Sequence, residues 1–388
     1  MTIDPIYLDY NATTPCDPRV VEKMLPYFSE QYGNPANGLH IQGRKSARAV
    51  AEAREQISAL LAAQPAEVFF TAGATESNNL AILGLARAAR RTTRRRIVTT
   101  AVEHKAVLLP SKKLADDGFD IVVLPVNRNG KVDIEAARDV INTDTLLVSV
   151  QAANNELGTI QPVTEISLLA HEKGAYMHCD AAQAVGKIPV NVNDLGVDLL
   201  SVSAHKLYGP KGIGCLYVRG GTRTIALEPL AYGGGQENGL RSGTTNVPGA
   251  VGFGEACAIA QTELMDEMAR LTALRDTLEM ELLTVIDGLL INARQTDRLP
   301  NTSSLTFPGV DADALLLNMP ELMSGTGSAC TSGAVEPSHV LTAIGLSRAE
   351  SSSTIRLSLG RFTYRHEIRE IVALLFQTSA TLRITAQG

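Results

Sequence analysis

Between residues 67 and 218 the chain alternates short apolar, β-branched runs with longer stretches whose apolar positions recur at helical spacing. The runs are Val68-Phe-Phe-Thr71, Arg96-Ile-Val-Thr99, Ile121-Val-Val-Leu124, Leu146-Leu-Val-Ser-Val150, Tyr176-Met-His178, Leu199-Leu-Ser-Val-Ser203 and Ile213-Gly-Cys-Leu-Tyr-Val218. All are of strand length, and near-continuous hydrophobicity fits strands covered on both faces. Strands alternating with helical segments of ten or more residues predict βαβ units, hence an α/β domain on a seven-stranded, mostly parallel sheet.

The pattern changes on either side. Residues 1 to 16 have no regular period and read as an arm that packs on the smaller domain described next, whereas Arg44 to Ala63 reads as one amphipathic helix. After the glycine-rich Gly233 to Gly239, an Ala-, Met- and Leu-rich stretch to about residue 287 predicts one or two long connecting helices. Two further strands, Ser303-Ser-Leu-Thr-Phe307 and Ile355-Arg-Leu-Ser-Leu359, with helices around them, predict a smaller α+β domain. The expected division is an arm over 1–16, a large domain over 17–255 and a small domain over 256–388.

Composition narrows the function classes. A chain of 388 residues with 45% hydrophobic and 20% charged residues is long enough for two cores and far from disordered compositions. The net charge of −6 has no domain-scale basic excess, so direct nucleic-acid binding is not expected. Arg90, Arg91, Arg94, Arg95 and Arg96 form the one dense basic cluster, either a solvated helix end or a docking patch. Apolar runs such as Thr145 to Val150 fall short of the ~20 residues of a membrane helix, and the first residues show no secretory signal, so the expectation is a cytoplasmic protein off the membrane. Five cysteines, at 16, 179, 215, 257 and 330, include no C-x-x-C pair and read as free thiols; the contexts of Cys179, Cys215 and Cys257 predict buried, inert ones.

The candidate chemistry sits at strand ends. Val68-Phe-Phe-Thr-Ala-Gly73-Ala74-Thr75 is a strand, a small-residue turn and a helix start, where N–H groups and the macrodipole suit a phosphate; it is equally an ordinary βα turn with a threonine cap. It lacks the lysine of a nucleotide P-loop. Asp180 ends a strand at the sheet edge where ligands bind in open α/β folds, and can pair with a protonated pyridine nitrogen or merely cap a helix. Gln183, one helical turn on, is placed to meet a phenolic oxygen of the same ring. Lys206, in Ser203-Ala-His205-Lys206, is a lysine at an apolar strand end, where burial would free its amine for Schiff-base chemistry. His104 begins a helix after a strand and can stack on a ring or move protons. Ser324 to Ala334 is a glycine- and serine-rich loop holding Cys330, and a thiol on a mobile loop is what sulfur transfer requires. His171 and His178 lack H-E-x-x-H spacing, and no metal site is expected.

These residues lie within motifs that resemble one family. Tyr7-Leu-Asp-Tyr-Asn-Ala-Thr-Thr-Pro, Gly33-Asn-Pro35, Thr75-Glu-Ser, Val102-Glu-His-Lys, Asn154-Asn-Glu, Asp180-Ala-Ala-Gln, Ser203-Ala-His-Lys, Arg241-Ser-Gly-Thr244, Ser328-Ala-Cys-Thr-Ser and Ile355-Arg-Leu-Ser-Leu-Gly-Arg look like the NifS/IscS-type cysteine desulfurases. These are class V aminotransferase enzymes dependent on pyridoxal 5'-phosphate, and the similarity runs in order from about residue 6 to residue 387. The resemblance implies a fold-type I homodimer with the cofactor near the subunit interface. It implies that Lys206 binds the cofactor covalently, Asp180 pairs with its pyridine nitrogen, Gln183 with its phenolic oxygen, and His104 stacks on it. Ala74, Thr75, Ser203 and His205 would hold the phosphate, joined by Thr244 from the other subunit, while Asn34, Asn155 and Arg356 grip the substrate carboxylate.

It also implies that Cys330, on a loop over 324–336, takes sulfur from L-cysteine as a persulfide, leaves alanine, and passes the sulfur to an acceptor protein. By the resemblance, the chain is expected to lack the C-terminal extension some family members use to dock an iron–sulfur scaffold, and Asn238 stands where an arginine is common after Gly-Gly-Gly-[His/Gln]-Glu. Iron–sulfur assembly, RNA thiolation and DNA phosphorothioation are therefore all open destinations. A selenocysteine or cystine lyase of the same fold, or a non-catalytic sulfur carrier, is the alternative.

Overall fold

The structure, a computed structural model, describes residues 5–326 and 337–385. The strands, in chain order, are β1 (Ile6–Tyr7), β2 (Val68–Thr71), β3 (Arg96–Thr100), β4 (Asp120–Leu124), β5 (Thr145–Ser149), β6 (Tyr176–Asp180), β7 (Leu199–Ser203), β8 (Gly214–Val218), β9 (Leu290–Asn292), β10 (Thr302–Thr306), β11 (Leu322–Met323) and β12 (Thr354–Ser358). Strands β2 to β8 form one seven-stranded sheet in the order β2-β8-β7-β6-β5-β3-β4, and β8 alone runs antiparallel to its neighbours. All seven expected runs are strands of this sheet, most within a residue of the expected bounds.

The two-residue alternation of a strand explains the layering. Val68, Phe70, Val98, Val148, Leu200, Val202 and Tyr217 pack on one face, with Ile57 and Leu61 of the helix Ile41–Leu61 and Phe253 and Cys257 of the helix Val247–Val285. Phe69, Ile97, Leu147, Leu199 and Leu216 point the other way, into a second cluster with Leu80, Ile82, Leu85 and Leu114. Both faces are covered except at the edge strand β4, where Val123 is exposed, so the other strands can be apolar throughout. Cys179, Cys215 and Cys257 are buried, and burial pushes each thiol up from its ordinary range, as expected for inert cysteines.

A separate core lies around an antiparallel sheet in the order β12-β10-β9. Leu305, Phe307, Ile355 and Leu357 meet Ile371 and Leu375 of the helix Glu367–Thr385 and Leu271, Leu278 and Leu282 of Val247–Val285. The long connecting stretch is thus one helix of 39 residues, about 58 Å, whose first half is buried in the main core and whose second half is buried in this one. The arm joins the same core. Strand β1 pairs parallel with β11, Ile6 and Leu8 are buried among its leucines, and Ser358 N–H donates to the Leu8 carbonyl. Short β1, β9 and β11 escaped the sequence pattern because two or three residues carry no period.

Within the arginine cluster, Arg94, Arg95 and Arg96 are half-buried and do not form a solvated helix end. Arg94 donates to the carbonyls of Thr145 and Lys173, Arg96 to the Val140 carbonyl and Asp120, and Arg95 lies over the Phe119 ring. These side chains close the sheet edge. Asn238 takes a left-handed backbone conformation (φ 57°), which asparagine tolerates better than arginine. Among the described residues no helix is long and apolar enough to cross a membrane.

Helices Ile41–Leu61 and Val247–Val285 touch closely at Gly254, where a Cβ would stand 2.6 Å from the Ala53 Cα. Gly254→Val is expected to lower the unfolding free energy by about 2 kcal/mol through overpacking, as urea denaturation would show. An unchanged midpoint would mean that the two helices separate at little cost.

Candidate active site

The C-terminal ends of β6 and β7, the turn after β2 and the loop after β3 converge on a cavity of about 930 Å³. Ten of the sequence-predicted residues line it: Ala74, Thr75, His104, Asn155, Asp180, Gln183, Ser203, His205, Lys206 and Arg356. Parallel strands place all their carboxyl ends on one edge, so residues from distant parts of the sequence meet there.

Each group is held by its local structure. The Asp180 carboxylate accepts from Asn78 Nδ2 (2.6 Å) and from the Ala182 N–H (3.0 Å). Lys206, in the turn after β7, donates from Nζ to the carbonyls of Asn11 (2.5 Å) and Ala12 (2.7 Å). His104 caps the helix Lys105–Asp116, its Nδ1 accepting from the Ala106 N–H (3.0 Å). That bond puts the proton of the neutral ring on Nε2. Burial lowers the His104 pKa, with Asp180 opposing and Lys206 assisting, so the ring is a neutral donor through Nε2. Burial, then the Lys206 charge, takes His205 down to about 4, and its Nδ1 pairs with Thr13 Oγ1 (3.1 Å).

Arg356 is buried on β12, salt-bridged to Asp9 (2.5 Å) and donating to the Asn155 carbonyl (3.1 Å). Its Nε is buried without a partner among the described residues. An unpaired guanidinium N–H beside a cavity can receive a carboxylate oxygen.

Two predicted residues are not brought there. Asn34 is exposed on a turn, its Oδ1 accepting from the Ala36 N–H (2.9 Å), so the expected grip on a carboxylate is not made within this chain. Thr244 is exposed and lines no part of the same chain's cavity. Cys330 lies outside the described residues. The described chain on either side is held by hydrogen bonds, on the N-terminal side to a residue that lines the cavity. Before it, the Gly325 carbonyl accepts from the Arg356 N–H (2.7 Å). After it, Ser338 Oγ donates to Glu156 Oε2 (2.6 Å) and His339 Nε2 pairs with the Glu103 carbonyl (2.9 Å).

Sequence reasoning passed over Asn11, Asn78, Glu103 and Lys187, all buried polar groups in or behind the wall. Polar residues set within apolar stretches, as in Ala184-Val-Gly-Lys187-Ile, were the available signal.

The groups present fit pyridoxal phosphate. A buried carboxylate suits a protonated pyridine, and an amine at the cavity suits an aldehyde. The N–H groups of Ala74 and Thr75, after Gly73 at φ +147°, suit a phosphate beside Ser203 and His205. The comparisons agree. The sequence model of the family described as Aminotransferase class-V matches residues 6–371. A cysteine desulfurase IscS of Dechloromonas aromatica is 45% identical over 379 residues, 98% of this chain and 93% of that protein. Among solved structures, a NifS-like protein superposes with a TM-score of 0.90 at 37% identity, covering 97% of this chain and 100% of that one. A structure of SspA in complex with cysteine has a TM-score of 0.80 at 39% identity, covering 92% and 99%. Fold and site define a pyridoxal-phosphate enzyme of fold type I. The chain belongs to the class V aminotransferase family, among its NifS/IscS-type cysteine desulfurases.

Glu103 gives a pH prediction. Its Oε1 accepts from Thr100 and the Gln151 N–H, its Oε2 is buried without a partner among the described residues, and burial pushes the carboxyl up to about 8 from 4.5. The folded state thus keeps a proton that the unfolded chain has already released. Stability from this group is full below about pH 4.5 and is lost as pH rises towards 8. Between pH 6.5 and 8 the wild type is expected to lose about 2 kcal/mol relative to Glu103→Gln, measured by denaturation at each pH. Parallel pH curves for the two proteins would refute the assignment.

Proposed function

We propose that this enzyme converts L-cysteine to L-alanine and carries the released sulfur on Cys330 as a persulfide to an acceptor protein. The observation that supports it most is the single cavity in which one chain gathers Lys206, Asp180, Gln183, His104 and Arg356. The balance is simple: the carbon–sulfur bond of L-cysteine breaks, a sulfur–sulfur bond forms at Cys330, and the thiol proton supplies the hydrogen that alanine gains.

Pyridoxal phosphate, when bound, supplies the electron sink that lets the substrate Cα lose its proton. The protein contributes placement. Asp180, held by its two hydrogen bonds, faces the pyridine nitrogen. Ala74, Thr75, Ser203 and His205 cradle the phosphate, with His205 neutral and so a hydrogen-bond partner rather than a counter-charge. Arg356 takes the substrate carboxylate through its guanidinium, beside Asn155. Lys206 exchanges the proton at Cα through its amine once released. His104 stacks on the ring and offers Nε2–H; it takes up a proton only by giving up its bond to the Ala106 N–H.

The active form is a homodimer. Thr244, exposed and away from its own cavity, reaches the phosphate of the partner, and the exposed Leu25, Phe28, Leu39 and Ile41 supply apolar surface to cover. The acceptor is a protein of iron–sulfur assembly, RNA thiolation or DNA phosphorothioation.

Purified wild type is expected to show a visible cofactor band, lost in Lys206→Ala, and to release equimolar alanine and sulfide from L-cysteine with a reductant. Cys330→Ala should keep the band while sulfur release falls at least about 100-fold. Full sulfur release from Cys330→Ala would favour a lyase that needs no thiol.

A further inference from the structure

Behind Gln183 lies a lysine that the reading above does not use. Lys187 is 7% exposed, and its Nζ donates to Gln183 Oε1 (2.6 Å) and Asn11 Oδ1 (2.8 Å). The turn after β6 puts the two side chains on one face, since Val185 N–H bonds the Ala181 carbonyl and Lys187 N–H the Ala184 carbonyl. Gln183 Nε2 in turn donates to the Asn11 carbonyl (2.9 Å), which also accepts from Lys206.

We propose that Lys187 is a positioning residue, whose buried amine holds the Gln183 amide so that it presents an N–H, and not its carbonyl, to the cavity. The inference rests on the cofactor reading above, in which Gln183 meets the phenolic oxygen. A carbonyl can only accept and a lysine N–H only donates, so the two contacts specify the same orientation of the amide. Turned over, Gln183 would set Oε1 against the Asn11 carbonyl and lose the lysine donor. Asn11 Oδ1 keeps a second donor in Asn301 Nδ2 (3.1 Å), so removal of Lys187 falls on Gln183. One N–H of the amide is used by Asn11, and the other is left for the cavity that Gln183 lines.

Burial, then the charges of Lys206 and Arg356, lower the Lys187 pKa well below the lysine range, with Glu267 opposing. The amine donates to both acceptors that the described residues give it.

The test is the pH titration of the visible band of the holoenzyme, in wild type, Lys187→Met, Lys187→Gln, Gln183→Leu and Lys187→Met/Gln183→Leu. An N–H donated to the phenolic oxygen weakens that oxygen's hold on the Schiff-base proton, so losing it raises the midpoint. Lys187→Met is expected to move the midpoint up by about one unit. Lys187→Gln, which keeps an N–H donor on a chain of similar length, should stay near wild type. The double variant should match Gln183→Leu, because Lys187 acts through Gln183. A merely structural lysine would change stability and leave the midpoint in place. A loaded Lys187→Met with an unchanged midpoint overturns the proposal. So does a double variant that shifts beyond Gln183→Leu, and this comparison decides if Lys187→Met alone fails to fold, since the double leaves no lone amide behind. A wild type with no visible band overturns the cofactor reading itself, an outcome distinct from either.

Discussion

The carbonyl and side chain of Asn11 tie the molecule together. Its backbone carbonyl accepts from Lys206 and Gln183; its side chain accepts from Lys187 and Asn301 and donates to Thr302 and to the Asn155 carbonyl; its N–H donates to Ser358. One residue of an arm with no regular pattern thus links the strand ends of the large sheet to two strands of the smaller one. The cavity lies where these two bodies meet, so its shape depends on how they are held. A buried polar node with every group paired is costly to rearrange, and it fixes the lysine amine, the glutamine amide and Arg356 relative to one another.

Around that node the site is built largely from neutral polar groups. His178 is fully buried between Ser149 and Ser201 and is held down at about 4, and His205 is taken to a similar value. Glu103 keeps its proton to about 8. Burial is the leading cause in each case. The result is a low-dielectric wall in which the formal charges of Asp180, Lys206 and Arg356 act with little competition. Such a wall suits a cofactor that brings a cationic ring nitrogen to the buried Asp180 carboxylate.

Much of this was legible in the chain. Seven apolar runs became the seven strands of the main sheet because strands covered on both faces need continuous hydrophobicity, and that requirement is local. Ten of the candidate residues met at one cavity, and all but Arg356, in the middle of β12, stand at strand ends, turns or helix starts, which a periodic pattern marks. Strands β1, β9 and β11 were not legible, since two or three residues do not establish a period. The arginines at 94 to 96 were misread as a solvated group because a sequence does not show which carbonyls a guanidinium will reach.

What the sequence by itself determined was the layered α/β architecture and the identity of the chemical groups, since hydrophobic period and residue type are properties of the local chain. What only the tertiary structure decided was how those groups are engaged. The tautomer of His104 follows from the Ala106 N–H, the free Nε of Arg356 from Asp9 and Asn155, and the orientation of Gln183 from Asn11 and Lys187. The exposure of Asn34 is likewise a matter of where its turn lies in space. Hydrogen-bond direction and burial are set by partners up to 350 positions away in sequence, and no local pattern encodes them.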